Sequence, residues 1–280
     1  MLPNFLIIGA MKSGTSSLYR YVSDHPQVFM PKRKELQFFG RDDWRDRLDW
    51  YEHQFDPADG AVAVGEASTN YSKYPLIPHA AEQIAQVLPH VKIVYLVRHP
   101  VDRAISQYLH GVLRGREHRP VDVALQADPR YLDLSRYAMQ MDRYLEHFPR
   151  AQVLVLLSED LRNDRPATLK RIYGFLDVDP GFTPSNAEGE FYRTSERRER
   201  HPRLQRVRGV GWYRPAIDAI PMGLRRALWR RMEPWTTWQV DRRRAEISPE
   251  LRKELEGRVR DDVRRLKTFL GPDFDGWGIA

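Results

Sequence analysis

The run FLIIGAMKSGTSSLYRYV, Phe5 to Val22, starts as an apolar strand and ends as a helix, with two glycines and one lysine in the turn between them. A Walker A phosphate loop reads G-x-x-x-x-G-K-[ST], with its lysine directly after the second glycine. Gly9 and Gly14 have that separation, yet Thr15 follows Gly14 and the lysine is Lys12. A strand, a glycine turn and a helix N-terminus form an anion site wherever the lysine stands, because backbone N–H groups and the helix dipole face the ligand. Ser13, Thr15, Ser16 and Ser17 add hydroxyls to it. The plainer reading is that the glycines only let the chain turn and the hydroxyls only cap the helix.

Outward from that turn, short apolar runs alternate with helical patterns. NFLIIG (4–9), VAVGEA (62–67), KIVYLV (92–97) and QVLVLL (152–157) read as buried strands. Leu134, Tyr137, Ala138, Met141, Tyr144, Leu145 and Phe148 recur at helical spacing, and 168–176 continues similarly. This alternation implies βαβ units, and so an α/β fold whose P-loop-like central parallel sheet is flanked by helices. Ligands of such sheets bind at the carboxyl ends of strands, where Gly9, Glu66 and Arg98 stand. In KIVYLVRHPVDRAISQY a strand leads to Arg98, a turn with Pro100, and a helix carrying Ser106 about two turns further on. A strand-end arginine grips a phosphate bidentately, and a helical serine adds a hydroxyl. The alternative is that Arg98 pairs with Asp102.

The chain has 280 residues, 41% of them hydrophobic and 30% charged, with a net charge of +7. It reads as one domain, 1–280, with a core of about 4–202 and a helical, basic C-terminal portion of about 203–280. No run approaches the ~18 apolar residues of a membrane helix. The first residues lack a basic region, a long apolar core and a cleavage site, so a cytoplasmic location is expected. The absence of cysteine excludes disulfides, thiolate metal ligands and a cysteine nucleophile. The positive charge favours anionic partners: nucleotides, acidic glycans, nucleic acid or an anionic membrane.

Beyond residue 185 the texture changes, with the arginine-rich RTSERRERHPRLQRVR (193–208) and then a Trp-, Pro- and Arg-rich stretch. Trp212, Trp229, Trp235 and Trp238 there line an acceptor or belong to the core, and the Arg-Trp segments also suit peripheral contact with a membrane. Near the end, Ser248 and Pro249 predict a helix start. Leu251, Leu255, Val259, Val263, Leu266 and Leu270 form its apolar stripe, and Gly271-Pro272 stops it.

Taken together, these motifs resemble the sulfotransferases that use 3′-phosphoadenosine 5′-phosphosulfate (PAPS). GAMKSGTSSL is similar to their 5′-phosphosulfate loop, and LVRHPVDRAISQY to their 3′-phosphate element. KELQFFGRDDWRDRLDWYEHQF (34–55) resembles the K-E-x-x-F-F segment and Trp-Tyr helix of glycan sulfotransferases of the heparan sulfate type. GEASTNY (65–71) resembles their G-E-K-[ST]-x-x-Y, and GEFYRTSERRERHP (189–202) more loosely a segment that closes over the nucleotide. The terminal helix and Trp277 are similar to those of bacterial members.

The resemblance implies a role for each residue. Lys12 contacts the oxygen bridging phosphate and sulfate, which explains its displacement from the Walker position. Lys12, Ser13, Gly14, Thr15, Ser16 and Ser17 hold the 5′-phosphosulfate. Arg98 and Ser106 hold the 3′-phosphate, and Tyr192, Arg197 and Arg198 close over the nucleotide. Glu35 is the general base; by its own surroundings in KRKEL it reads as an exposed charge, and the QFF that follows turns the reading to catalysis. His25, His53 and His99 are the other candidates for the base, His99 being better suited to orienting its turn. Glu66 either supports the site or pairs with Lys12. PAPS is the co-substrate and no metal is expected, since a sulfuryl group carries less charge than a phosphoryl group. The acceptor is a hydroxyl or amine of a glycan, a glycolipid or another small metabolite.

One departure stands out. Ala67 occupies the family's lysine slot, which leaves Lys32, Arg33 or Lys34 to supply the missing charge, and Gln37 stands where some relatives have histidine. Two other classes compete: a P-loop kinase, against which no strand reads as a Walker B, and a basic nucleic-acid-binding protein, for which no motif is present.

Overall fold

The computed structural model describes residues 1–185 and 245–280, together with the backbone of 198–200 and 237–239. Five parallel strands make the central sheet: β1 (Phe5–Gly9), β2 (Val28–Phe29), β3 (Ala63–Ala67), β4 (Lys92–Val97) and β5 (Val153–Leu157). Their order is β2-β3-β1-β4-β5. The loop-bearing strand β1 is therefore central, with Phe5 opposite Gly65 of β3 on one side and Lys92 of β4 on the other. All four strands expected from the apolar runs are present. The fifth, β2, is two residues long and leaves no periodic signal in the sequence.

Successive side chains of a strand point to opposite faces. Leu6 and Ile8 of β1, Tyr95 and Val97 of β4, and Val153 and Val155 of β5 pack into one core. Phe5, Ile7, Val94, Leu96 and Leu156 pack into the other. Both faces are covered, which is why these runs are continuously apolar instead of alternating.

The covering helices are α1 (Thr15–Ser23), α2 (Leu48–His53), α3 (Ala80–Val87), α4 (Pro100–Leu113), α5 (Val121–Ala127), α6 (Arg130–Asp133), α7 (Tyr137–Leu145), α8 (Ser158–Asn163), α9 (Arg165–Phe175) and α10 (Pro249–Leu270). The pattern from Leu134 to Phe148 yields a shorter helix, α7, with both end residues still buried beside it. α9 starts at Arg165, earlier than its apolar pattern, because the Asp164 side chain accepts from Ala167 N and caps it. Buried Arg103 ties α4 to the α6 region, donating to Ser135 Oγ at 2.6 Å and to the Tyr131 carbonyl at 2.5 Å.

α10 begins as its sequence predicts, with Ser248 Oγ accepting from Leu251 N at 3.1 Å and Pro249 at the first position. Leu251, Leu255, Val259, Val263 and Leu266 are buried along one stripe. Asp262 lies on the same stripe and accepts from Ala138 N (3.0 Å) and Met139 N (2.8 Å) at the start of α7. Burial pushes the Asp262 carboxyl up to about 6, against the pull of those two N–H groups. The expected helical C-terminal part is present as α10, and ahead of it β6 (Arg198–Arg200) pairs antiparallel with β7 (Thr237–Gln239). No helix among the described residues is long and apolar enough to cross a membrane.

Candidate active site

The loop between β1 and α1 is shaped by its glycines. Gly9 has φ +153, and a Cβ there would stand 2.1 Å from Ser72 Oγ. That hydroxyl is fixed in place by donating to the Ile8 carbonyl at 2.8 Å. Gly14, at φ 97, is the N-cap of α1, and a glycine there has no side chain to cap the helix. The N-cap position itself therefore carries no hydroxyl. Ser13 Oγ is buried without a hydrogen-bond partner among the described residues. An uncapped helix start beside an orphaned hydroxyl is the arrangement that a bound phosphate or sulfate satisfies. Lys12 sits between the glycines with φ 72, in the left-handed region that costs a non-glycine residue energy. Lys12, Ser13, Gly14, Thr15, Ser16 and Ser17 all line one cleft of about 1720 Å³.

Arg98 and Ser106 line the same cleft from the end of β4 and the second turn of α4. Tyr137 donates to the Arg98 carbonyl at 2.7 Å, and Arg98 Nη1 lies 3.5 Å from the Lys12 carbonyl, so the arginine crosses beside the loop. Asp102 does not take Arg98, because it pairs at 2.8 Å with Arg252 of α10. His99 follows Arg98, and its backbone N–H donates to Glu159 Oε1 at 3.0 Å.

Glu35 enters the cleft from a segment without helix or strand, and its backbone also adopts positive φ, 64. Its N–H donates to the carbonyl of Ala67, at the end of β3, at 3.0 Å. One carboxylate oxygen, Oε2, accepts from Thr69 N (2.8 Å) and Thr69 Oγ1 (3.2 Å). The other, Oε1, pairs with Lys34. Beneath it, buried Glu66 accepts from Tyr51 OH (2.9 Å), Ser68 Oγ (2.7 Å) and Tyr71 OH (2.6 Å). Burial raises the Glu66 carboxyl above its usual range, and the three hydroxyls partly offset this. Tyr71 OH also accepts from Phe38 N at 3.1 Å, and Tyr51 stacks on Phe38 with centroids 4.1 Å apart. Glu66 therefore anchors the Glu35 segment through the aromatic residues that follow it.

The other candidate bases are placed elsewhere. Both ring nitrogens of buried His25 are engaged, by the Asp179 carbonyl at 3.0 Å and Gln27 N at 3.1 Å. His53 Nδ1 bonds to the Asp49 carbonyl in its own helix. Neither they nor His99 line the cleft, whereas His110 does. Of the three residues considered for the charge missing at Ala67, Lys32 and Lys34 line the cleft and Lys34 pairs with Glu35, while Arg33 lies over Trp50 at 5.9 Å. Lys73 also lines it; burial lowers its pKa, and the charge of Glu35 opposes that shift. Gln37 lines the cleft, held by Ser68 Oγ at 3.0 Å. Trp277 packs on Phe274 and His99 away from the cleft. Tyr192, Arg197, Trp212, Trp229 and Trp235 lie outside the described residues, and for Arg198 and Trp238 only the backbone is described. Thr69, Lys73, Ser158, Arg162, Arg165 and Arg252 also line the cleft and were not singled out by sequence. Only Thr69 carried a signal, as part of GEASTNY.

The family model of the sulfotransferase domain matches residues 2–197. The chain belongs to the PAPS-dependent sulfotransferase family. The chain is 30% identical over 207 residues to the bifunctional heparan sulfate N-deacetylase/N-sulfotransferase 4 of Mus musculus, covering 66% of this chain and 23% of that protein. It is 29% identical over 205 residues to the corresponding enzyme 3 of Homo sapiens, with the same coverage. The chain thus spans about a quarter of the length of these curated relatives. A sulfotransferase from Alicyclobacillus acidocaldarius superimposes with a TM-score of 0.68 at 28% identity, over 99% of both chains. The sulfotransferase domain from the curacin biosynthetic pathway shares the fold, at 16% identity and a TM-score of 0.51 over 69% of this chain and 79% of that one. The family match decides against the kinase and nucleic-acid alternatives.

Proposed function

We propose that this sulfotransferase carries the sulfuryl group of PAPS to a hydroxyl or amine of a glycan-type acceptor, with Lys12 and Glu35 as the reacting pair. The observation that carries this reading is their convergence. They stand on separate segments, face one cleft, and both occupy left-handed backbone positions that the surrounding structure must hold in place. Arg98 and Ser106 take the 3′-phosphate, and the loop N–H groups with Ser13, Thr15, Ser16 and Ser17 take the 5′-phosphosulfate. Tyr192, Arg197 and Arg198 close the nucleotide side.

Glu35 receives the acceptor's proton as the acceptor oxygen or nitrogen bonds to sulfur. Oε1 is the receiving atom, because Oε2 is held by Thr69 while Oε1 is shared with a lysine on a flexible stem. Lys12 stabilises the charge that collects on the bridging oxygen as its bond to sulfur breaks. Such an aimed contact lowers a barrier by about 3–4 kcal/mol. Lys32, Lys34 and Lys73 surround Glu35 with positive charge, which favours an anionic glycan over a neutral lipid. Similarity to the heparan sulfate enzymes supports the same class. The chain works as one domain, 1–280, in a bacterial cytoplasm; its likeness to the Alicyclobacillus enzyme over 99% of both chains supports the single-domain and bacterial parts of this reading.

The test is sulfate transfer from labelled PAPS across acidic glycans, neutral glycans, glycolipids and phenols. Transfer to acidic glycans above the others is expected. Transfer confined to phenols would overturn the acceptor class, and no donor turnover with any acceptor would overturn the reading.

A further inference from the structure

Arg252 stands in the first turn of α10, beyond the residues that the family model matches. It nonetheless lines the donor cleft, with Ala245, Glu246 and Ile247 beside it. Its Nη2 donates to Asp102 Oδ1 at 2.8 Å, and its Nη1 lies 3.6 Å from Glu256 Oε1. Glu256 in turn lies 3.5 Å from Nε2 of His99, the residue after Arg98. Asp102 and Ser106 are one helical turn apart on α4, so they share a face, and both line the cleft. A carboxylate therefore stands within one turn of the serine assigned to the 3′-phosphate. Left alone, it would repel a phosphate dianion held by Arg98 and Ser106.

We propose that Arg252 is a donor-specificity residue that neutralises Asp102 and so allows Arg98 and Ser106 to hold a 3′-phosphate. The inference rests on the assignment of that phosphate to Arg98 and Ser106. Arg252 acts through Asp102 and is a positioning residue. Its influence is confined to the 3′ end, because the 5′-phosphosulfate is held by the loop after β1. It therefore governs the choice between adenosine nucleotides with and without a 3′-phosphate. A purely structural tie between α10 and α4 would instead affect both kinds of nucleotide alike.

The experiment is titration calorimetry of the full chain with adenosine 3′,5′-bisphosphate (PAP) and with adenosine 5′-monophosphate (AMP). The proteins are wild type, Arg252→Ala, Arg252→Lys, and Arg252→Ala combined with Asp102→Asn. Wild type is expected to prefer PAP by at least about tenfold. Arg252→Ala should lose about fivefold in PAP affinity while its AMP affinity stays within about twofold. Arg252→Lys keeps the charge and should stay within about twofold of wild type for both ligands. Adding Asp102→Asn to Arg252→Ala should restore most of the PAP affinity, which a structural role does not predict. Equal losses for PAP and AMP, an unchanged PAP affinity in Arg252→Ala, or a double variant no better than the single one would each overturn the inference. A wild type that fails to prefer PAP would overturn the 3′-phosphate assignment, and this inference with it.

Discussion

Lys12 stands in a turn between two consecutive elements, β1 and α1, whereas Glu35 stands in a segment that is neither strand nor helix. The 5′-phosphosulfate part of the donor end is a local construction. Its N–H groups, hydroxyls and lysine come from neighbouring residues, and its geometry follows from Gly9, Gly14 and the helix start. The acceptor end is assembled at long range: Glu35 is held by Ala67 and Thr69, and its segment by Tyr51, Tyr71 and buried Glu66. The local end depends on one contiguous run, while the long-range end depends on contacts between separate segments that do not touch the loop. The two ends should therefore fail separately under mutation.

The largest effect is expected at Lys12. Lys12→Ala should lower the transfer rate by about 10²–10³-fold and weaken PAPS binding less, because the contact strengthens as the bridging bond breaks. Steady-state and single-turnover kinetics check this; a rate within tenfold of wild type would place the lysine outside the chemistry. Next comes Arg98→Ala, which should cost at least about tenfold in PAP affinity while binding of adenosine 5′-phosphosulfate changes little. Equal losses for both ligands would make Arg98 a scaffold residue.

The smallest effect concerns the scaffold shared by both ends. Asp262 has a folded pKa of about 6, above its ordinary 3.8. The folded state therefore holds this proton more tightly than the unfolded chain. The resulting stabilisation is complete below the unfolded pKa and is lost as pH rises through about 6. Between roughly pH 4 and 7, the wild-type melting temperature should fall by a few degrees relative to Asp262→Asn. Parallel melting curves across that range would show that Asp262 titrates normally.

The donor end was legible in the sequence because its information is contiguous: one quoted run contains the strand, both glycines, the lysine and the helix start. Arg98 and Ser106 were legible for the same reason, lying in a single strand-turn-helix run. Glu35 was read through resemblance, since nothing in KRKEL distinguishes a base from a solvated charge until Thr69 and Ala67 are brought to it. Lys73 and Arg252 were missed because their relevance comes from the fold. Lys73 ends a 3-10 turn after β3, and Arg252 arrives more than a hundred residues after the helix that it meets. The histidines illustrate the opposite error. His25 looked chemically apt, but its ring is used up in holding a turn and packing against Tyr173 and Phe182.

Glu35→Gln tests the division of the cleft most directly. Glutamine keeps the size of the side chain and an acceptor for Thr69 but cannot take a proton. Transfer rate from labelled PAPS, PAP affinity and melting temperature should be measured on the same preparation. The expected result is a rate lower by about 10²-fold or more, with PAP affinity and melting temperature unchanged. A near-normal rate, or a PAP affinity lost together with the rate, would contradict a base that serves the acceptor end alone.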